Sequence, residues 1–462
     1  RWGGAMEIEE SRTVTAADIR EQYKKFIGRK IFFILFFIAL IVGITGVSTS
    51  LGSADLSVWD AYSSILRKPF PNLFESELIF HWNDIPGSDN ERLKQYLIDE
   101  YGIDWVGSAE IIKSDDGKII IKGVGENKVE ITRDERDKEK ANVKISGDIN
   151  PDYRGKDLDF KIKEKNGELY IYESTWLADV CVWNLRLPRI FLGIIAGIGL
   201  GLAGAVMQGI LRNPLASPYT LGISSGAGFG ASLAILAGAG IVSGKYLIIG
   251  NAFVFALLVS FTILGLSSRK GATPETMILA GIAMMYLFGA MTTILQYFGE
   301  AEAVKEAVFW MVGDLNRSSW PVVTIILGTL VCCTPLLMMR SWDLNVMGAG
   351  DETAKSLGVN VKRTRIITMV VSTLLVATIV SFTGTIGFIG LVAPHMTRLA
   401  IGGDNRYVLP VSGLLGAVIL ISADLVARRI IAPVILPVGA VTAFMGAPLF
   451  LYLIMRRRRE YW

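Results

Sequence analysis

Apolar runs of roughly 18–25 residues, long enough to cross a hydrocarbon core about 30 Å thick, recur along this chain and are interrupted by one long polar interval. The first run is IFFILFFIALIVGITGVSTS at 31–50. Further runs lie near 189–210, 220–240, 246–267, 275–298, 321–340, 363–383, 386–401, 407–426 and 437–455. Lipid offers no partners to backbone amides, so runs of this kind must be helices. The pattern predicts an all-α polytopic membrane protein with about ten transmembrane helices. The run at 386–401 is short and broken by Pro394, so it is expected to tilt or to be partly re-entrant.

From 67 to 179 the texture changes. KIIIKGV and ELYIYES alternate apolar and polar positions, and SDDG and EKNG are turn signals between such stretches. Alternation of period two predicts half-buried strands. SDNERLKQYLIDEYG predicts an amphipathic helix with a Ser/Asp start and a Gly stop. The interval reads as an inserted soluble α+β domain of about a hundred residues. The whole chain then divides into an N-terminal segment 1–30, a first transmembrane helix 31–50, the insert 67–179, a membrane core 186–455 and a basic tail 456–462. Met6 is expected to be the natural start, with RWGGA a remnant ahead of it, and the first apolar run is too long and too late for a cleaved signal peptide.

Composition excludes a set of soluble domains: 51% of the 462 residues are hydrophobic and 19% charged, with mean hydropathy +0.44. The net charge of +3 matters less than where the charges fall. YKKFIGRK, LRNPLAS, SSRKGATPE, the MRSWDLN to VKRTR loop, HMTRLAIGGDNR and the RRRRE tail all lie on one side, and nearly all are basic. The opposite loops are mixed or acidic, except ARRIIAP. Basic loops face the cytoplasm. Both termini are therefore expected in the cytoplasm, the insert outside, and the chain in the cell membrane. The lipid bilayer is the expected partner here, with no nucleic acid.

Chemistry-bearing motifs are few. Cys181, Cys332 and Cys333 have no metal or redox spacing, and no metal site is expected. The sequence holds no GxxxxGK[ST], HExxH or GxSxG, so no catalytic residue is assigned and the chain is not expected to be an enzyme or to bind ATP through a P-loop. Asp424 is an isolated in-span acid with Arg428 and Arg429 as expected partners. His395 stands without carboxylate or cysteine neighbours and reads as a structural hydrogen-bonding group.

Two helix faces are lined by small residues every four positions. Gly193, Gly197, Gly201, Ala205 and Gly209 form one, and Gly222, Gly226, Gly230, Ala234 and Gly238 the other. Such faces let helix backbones approach closely in lipid. Between them lies RNPLASP, where Pro214 and Pro218 interrupt helix at a cytoplasmic span junction. Non-helical backbone at that depth must be buried or face a watery cavity. Chemistry alone leaves an ordinary turn and a functional elbow both open. GAGDETAKSLGVNVKRTR, 348–365, predicts a short cytoplasmic helix that Asp351 caps and Gly358 ends. A stiff helix of that kind is either a solvated loop element or a docking point for a soluble motor.

Together these stretches resemble the FecCD-type permeases of ABC importers, which carry iron–siderophore complexes, haem, cobalamin and sometimes oxyanions. The resemblance runs in order through WNLRLPRIFLGIIAGIGLGLAGAVMQGILRNPLASPYTLGISSGAGFGAS, MILAGIA and FWMVGDLNRSSW. It continues through DLNVMGAGDETAKSLGV, GTIGFIGLVAPHMTR, LPVSGLLGAVILISADLVARRI and LPVGAVTAFMGAPLFLYL. It implies ten transmembrane helices per subunit and a homodimer around one pathway. Two ATP-binding cassette ATPase subunits would bind inside, carrying the ATP and Mg, so no cofactor is expected in this chain. A substrate-binding protein would dock outside. Matched residue by residue, the resemblance makes Asn213 and Leu215 a cytoplasmic gate, with Thr273 and Thr276 its second element. Asp351, Glu352, Ala354, Leu357 and Gly358 match ATPase-coupling positions. Arg186, Arg189 and Arg428 match outward-facing arginines that pair with acidic residues of the binding protein.

Three features depart from that pattern: Pro274 and Glu275 stand where small polar residues are usual, Ile435 replaces an acidic residue, and the insert has no counterpart. The expected function is a non-catalytic permease subunit of an ATP-driven importer for a metal chelate. The alternatives are an ion-coupled secondary transporter and a membrane-anchored receptor that binds ligand through the insert.

Overall fold

The computed structural model describes residues 16–51, 58–67, 78–85, 87, 89–101, 103–114, 118–125, 127–133, 140–146, 158–165, 168–173, 176–241, 244–269, 272–432 and 434–456. The expectations for RWGGA and Met6 lie outside the described residues, as do those for most of the basic tail and parts of the SDDG and EKNG turns. The chain forms two compact units, one of Arg1–Asp55 with Asn184–Trp462, the other of Leu56–Trp183.

The smaller unit is α+β. Its strands are β1 (Leu78–His81), β2 (Glu110–Lys113), β3 (Ile119–Lys122), β4 (Lys128–Arg133), β5 (Lys140–Ser146), β6 (Leu158–Lys165) and β7 (Glu168–Glu173). Among the described residues they form one antiparallel sheet in the order β1-β7-β6-β5-β4-β3-β2. Period-two alternation explains it. Ile119, Ile121, Val129, Ile131, Ala141, Val143, Phe160, Ile162 and Ile171 are buried, while Lys122 and Lys144 between them are exposed. The buried face shares one apolar cluster with Leu93 and Leu97 of α3 (Asn90–Tyr101) and with Trp82 and Ile85.

Asp89, just ahead of α3, accepts from the His81 amide at 2.6 Å and pairs with the ring Nδ1 at 2.7 Å, holding β1 to the helix start. Burial pushes the Asp89 carboxyl up, but the His81 hydrogen bonds and the nearby Arg92 charge outweigh it and leave it below its usual range. Helices α2 (Val58–Arg67) and α4 (Trp176–Val180) flank this unit. Ser64 Oγ donates to Asp179 at 2.7 Å, and Trp183 Nε1 donates to the Ser64 carbonyl at 3.0 Å.

The larger unit is helical. Its helices are α1 (Ala16–Ser50), α5 (Leu187–Leu211), α6 (Ile223–Ala237), α7 (Leu247–Ser268), α8 (Pro274–Phe298) and α9 (Ala301–Val312). They continue with α10 (Trp320–Met338), α11 (Ser341–Gly348), α12 (Asp351–Ser356), α13 (Val361–Thr383), α14 (Ile389–Ile401), α15 (Asn405–Arg429) and α16 (Val438–Arg456). Among the described residues seven helices are long and apolar enough to cross a membrane, and three shorter apolar ones lie at 223–237, 389–401 and 438–452. α9 falls in a stretch read from the sequence as loop. Ala307 and Trp310, one turn apart, are both buried and give it an inward face.

α5 is the axis of this unit, with 83% of its apolar window buried against 11% for α1. Small residues set that arrangement. A Cβ on Gly201 would lie 2.2 Å from the Ser412 carbonyl oxygen, and one on Gly197 would lie 2.6 Å from Ala417 Cα, so α5 and α15 touch backbone to backbone. On Gly204 a Cβ would fall 1.9 Å from the Gly390 oxygen of α14. Gly193 faces the Ile421 and Leu315 side chains. Gly226 and Gly230 bring α6 onto Phe255, Val259 and Asn251 of α7 in the same way. Close contact of this kind substitutes for the hydrophobic drive that lipid removes.

α1 is held against α15 at both ends. Lys30, 1% exposed, lies 3.2 Å from Asp404 and stacks on the Tyr407 ring. At the other end Arg186 Nη1 donates to the Thr49 and Ser50 carbonyls, and Arg428 donates to Ser48 and Leu51. Two guanidinium groups thus satisfy carbonyls that the last turn of a helix leaves without partners.

Candidate functional site

The end of the helical unit that carries the basic loops brings three predicted segments together. α5 stops at Arg212, which takes left-handed backbone (φ 46°). Asn213 Oδ1 then accepts from the Leu215 amide at 2.9 Å, an Asx turn that fixes the elbow. Gln208, fully buried, donates to the Pro214 carbonyl at 2.9 Å and to the Leu391 carbonyl at 3.1 Å. The Pro214 carbonyl, freed where proline breaks the helix, is therefore satisfied from inside the protein. Asn213 is half-buried and Leu215 exposed. Nothing in the sequence singled out Gln208, because its partners are 6 and 183 residues away.

Thr273 is the N-cap of α8 and accepts from the Thr276 amide, with Pro274 in the first turn. Thr276 Oγ1 returns a bond to the Thr273 carbonyl at 2.9 Å. Pro274 and Glu275, departures from the resembling pattern, are thus ordinary helix-start residues here.

α12 corrects two expectations. Its N-cap is Gly350 (φ 116°), which offers no side chain, and Asp351 is the first helical residue instead of the cap. Ala354 is fully buried with Met347 and Val361, so it is a packing residue and not a contact surface. Glu352, Leu357 and Gly358 point outward, and Gly358 (φ 85°) ends the helix as expected. Asp351 turns inward to Arg365, with oxygen–nitrogen distances of 3.0–3.2 Å, and lies 3.5 Å from Arg212. Arg365, 1% exposed, also donates to the Ile210 carbonyl at 3.2 Å and the Ala272 carbonyl at 2.7 Å.

Nearby, Asp404 caps α15. Burial alone would raise its carboxyl, but donors on Arg406, Asn345 and Lys30 win, and it is held far below the usual carboxylate range.

At the opposite end the expectation of outward-facing arginines is corrected. Arg186, Arg189 and Arg428 are all buried. Arg189 Nε donates to Asp424 Oδ1 at 2.7 Å, and Arg428 Nε donates to Asp424 Oδ2 at 3.0 Å. Arg189 also bonds Asn316. Desolvated charges need such partners, and Asp424 with the α1 carbonyls supplies them within the chain. Of the two partners expected for Asp424, Arg428 holds it and Arg429 is exposed. His395 is buried and meets Phe450 edge to face at 5.7 Å.

One trio among the described residues, His81, Asp84 and Asp89, brings potential metal-ligand atoms within 4.8 Å of one another. Its closest pair, His81 and Asp89, already ties β1 to α3.

Comparison with known proteins places this geometry in context. The FecCD transport family matches residues 163–456. An ABC transporter permease protein of Methanocaldococcus jannaschii is 49% identical over 287 residues, covering 60% of this chain and 82% of that protein. The cobalamin import system permease protein BtuC of Halobacterium salinarum is 41% identical over 281 residues, covering 61% and 74%. The hemin transport system permease protein HmuU of Yersinia pestis is 37% identical over 282 residues, covering 60% and 84%. Among solved structures, a transporter assigned to the metal-chelate ABC type, captured facing inward, is 34% identical with a TM-score of 0.57. That match covers 61% of this chain and 89% of the other.

Proposed function

The chain belongs to the FecCD transport family, and on that premise we propose that it is the permease subunit of an ATP-driven importer of metal chelates. Two copies would enclose one pathway, with ATPase subunits on the side of the basic loops and a substrate-binding protein on the other. The cargo class follows the relatives, whose names specify cobalamin and hemin. With the three shorter apolar helices among the described residues counted as spans, the chain would cross the membrane ten times, with both termini inside and the insert outside.

The observation that carries this reading is α12. It is a short helix with Glu352 and Leu357 turned outward while Ala354 and Asp351 root it in the helical unit. That is the shape of a handle that a soluble motor can push. The sequence holds no phosphate loop, so hydrolysis falls to the partner. The purified chain alone is expected to hydrolyse no ATP, whereas co-expression with its ATPase subunits is expected to yield a complex that does. Sustained hydrolysis by the chain alone would contradict the proposal.

For the insert we propose an accessory role, contacting the binding protein or shielding the pathway mouth. Because α2 and α4 are bonded through Ser64, Asp179 and Trp183, residues 68–173 can be replaced by a short linker without separating the helices that bear them. Such a variant is expected to keep ATP-dependent uptake but to need more binding protein for half-maximal rate. Uptake that vanishes at every binding-protein concentration would sink the accessory role.

A further inference from the structure

Arg365 lies at the base of α13 and was singled out by no motif. Its guanidinium nevertheless reaches the roots of three separate segments. It donates to the carbonyl of Ile210, three residues before Asn213, and to the carbonyl of Ala272, one residue before Thr273. It grips the Asp351 carboxylate with both terminal nitrogens. Asp351 in turn lies 3.5 Å from Arg212 of the elbow.

Geometry makes this joint tight. Arg365 is 1% exposed, so little water competes for its donors. Ala272 holds a positive φ of 54°, a costly conformation for a residue with a Cβ. The Arg365 bond to its carbonyl and its own amide bond to Ser267 at 2.8 Å keep it there. The planar fork grips the carboxylate with both terminal nitrogens while Nε and Nη1 also reach the two carbonyls; an ammonium, a point charge with three donors, lacks that bidentate geometry.

From this we infer that Arg365, with Asp351, is the positioning pair that passes a displacement of α12 to both the elbow at Asn213 and the start of α8 at Thr273. The inference rests on the importer reading above. A push on α12 moves Asp351, and Asp351 cannot move without carrying the guanidinium that holds the other two segments. Interfaces of this sort shift between discrete packings instead of deforming smoothly. Cut the pair, and the motor still runs while the gates follow it poorly.

The test uses the full complex in proteoliposomes with its ATPase and binding protein, and measures substrate moved per ATP hydrolysed. Asp351→Asn and Arg365→Lys are compared with wild type, and Asp351→Glu is the conservative rescue. Both variants are expected to assemble with the ATPase subunits, and Arg365→Lys to hydrolyse ATP with an unchanged KM; Asp351→Asn is read by the transport ratio alone. Their transport per ATP is expected to fall about five- to tenfold, the size of coupling changes seen when a linking residue is altered. Asp351→Glu is expected to recover most of the ratio.

An unchanged ratio in assembled variants would overturn the inference. So would hydrolysis and uptake falling in step, or no assembly for either variant, since both assign the pair a purely structural role. The importer reading fails separately, by wild type showing no ATP-dependent uptake at all.

Discussion

Asp424 and Arg189 stand 235 residues apart, and their contact helps hold the end of the helical unit opposite the basic loops. The carboxylate is 2% exposed and shared between Arg189 and Arg428. Removing it leaves two desolvated cations facing each other. Asp424→Asn is expected to cost about 3–5 kcal/mol, as for other broken buried pairs, read as a lower thermal midpoint of the purified protein. An unchanged midpoint would show that the arginines have solvent access. Spacing made the Arg428 half of this pair legible. No local pattern could reveal the Arg189 half, because only the fold brings the two helices together.

Asp404 gives a second residue-level test, through pH. Its carboxyl is depressed in the folded protein, so its stabilising contribution is fully present above the unfolded value of about 3.9 and is lost as pH falls toward the folded one. Wild type is expected to exceed Asp404→Asn in thermal midpoint by a constant margin from pH 5 to 8, and the margin should shrink in stronger acid. A margin that grows on acidification would reverse the assignment.

At the scale of elements, the small-residue faces of α5 and α6 could be read from spacing, since period four defines one side of a helix. Which helix each face meets could not. Gly201→Leu is expected to destabilise strongly, because its Cβ would fall 2.2 Å from the Ser412 carbonyl oxygen and backbone cannot yield as a side chain can. Overpacking costs about 1–3 kcal/mol even in yielding cores, so the variant should express poorly; normal yield and melting would contradict the direct α5–α15 contact.

α12 separates surface from root. Leu357, 67% exposed, is expected to accept Leu357→Glu with no change in melting but with weaker retention of ATPase subunits in pull-down. Ala354→Leu should instead lower the melting temperature, since Ala354 is fully buried. The resemblance gave both residues one role, and a six-residue helix carries too little periodicity to show which side is inward. α9 was missed for a related reason: two inward residues in a mixed segment look like loop until neighbours surround them.

For the whole molecule, the division into an apolar helical unit and an α+β unit was visible in texture alone. Period two and long apolar runs are strong signals. The joints between elements were not visible, since Lys30–Asp404, Gln208–Leu391 and Arg365–Asp351 are choices made by the fold. One pair of clamps holds α1 in place, and another cluster gathers the elbow, the α8 start and α12 at one point.

Uptake into proteoliposomes that contain this chain, its ATPase subunits and its binding protein tests the central claim most directly. Cobalamin, hemin and a ferric chelate would each be offered with ATP, without ATP and with a proton ionophore. We expect at least one chelate to accumulate only with ATP and to be indifferent to the ionophore. Accumulation that continues without ATP or ATPase subunits and collapses with the ionophore would contradict the account.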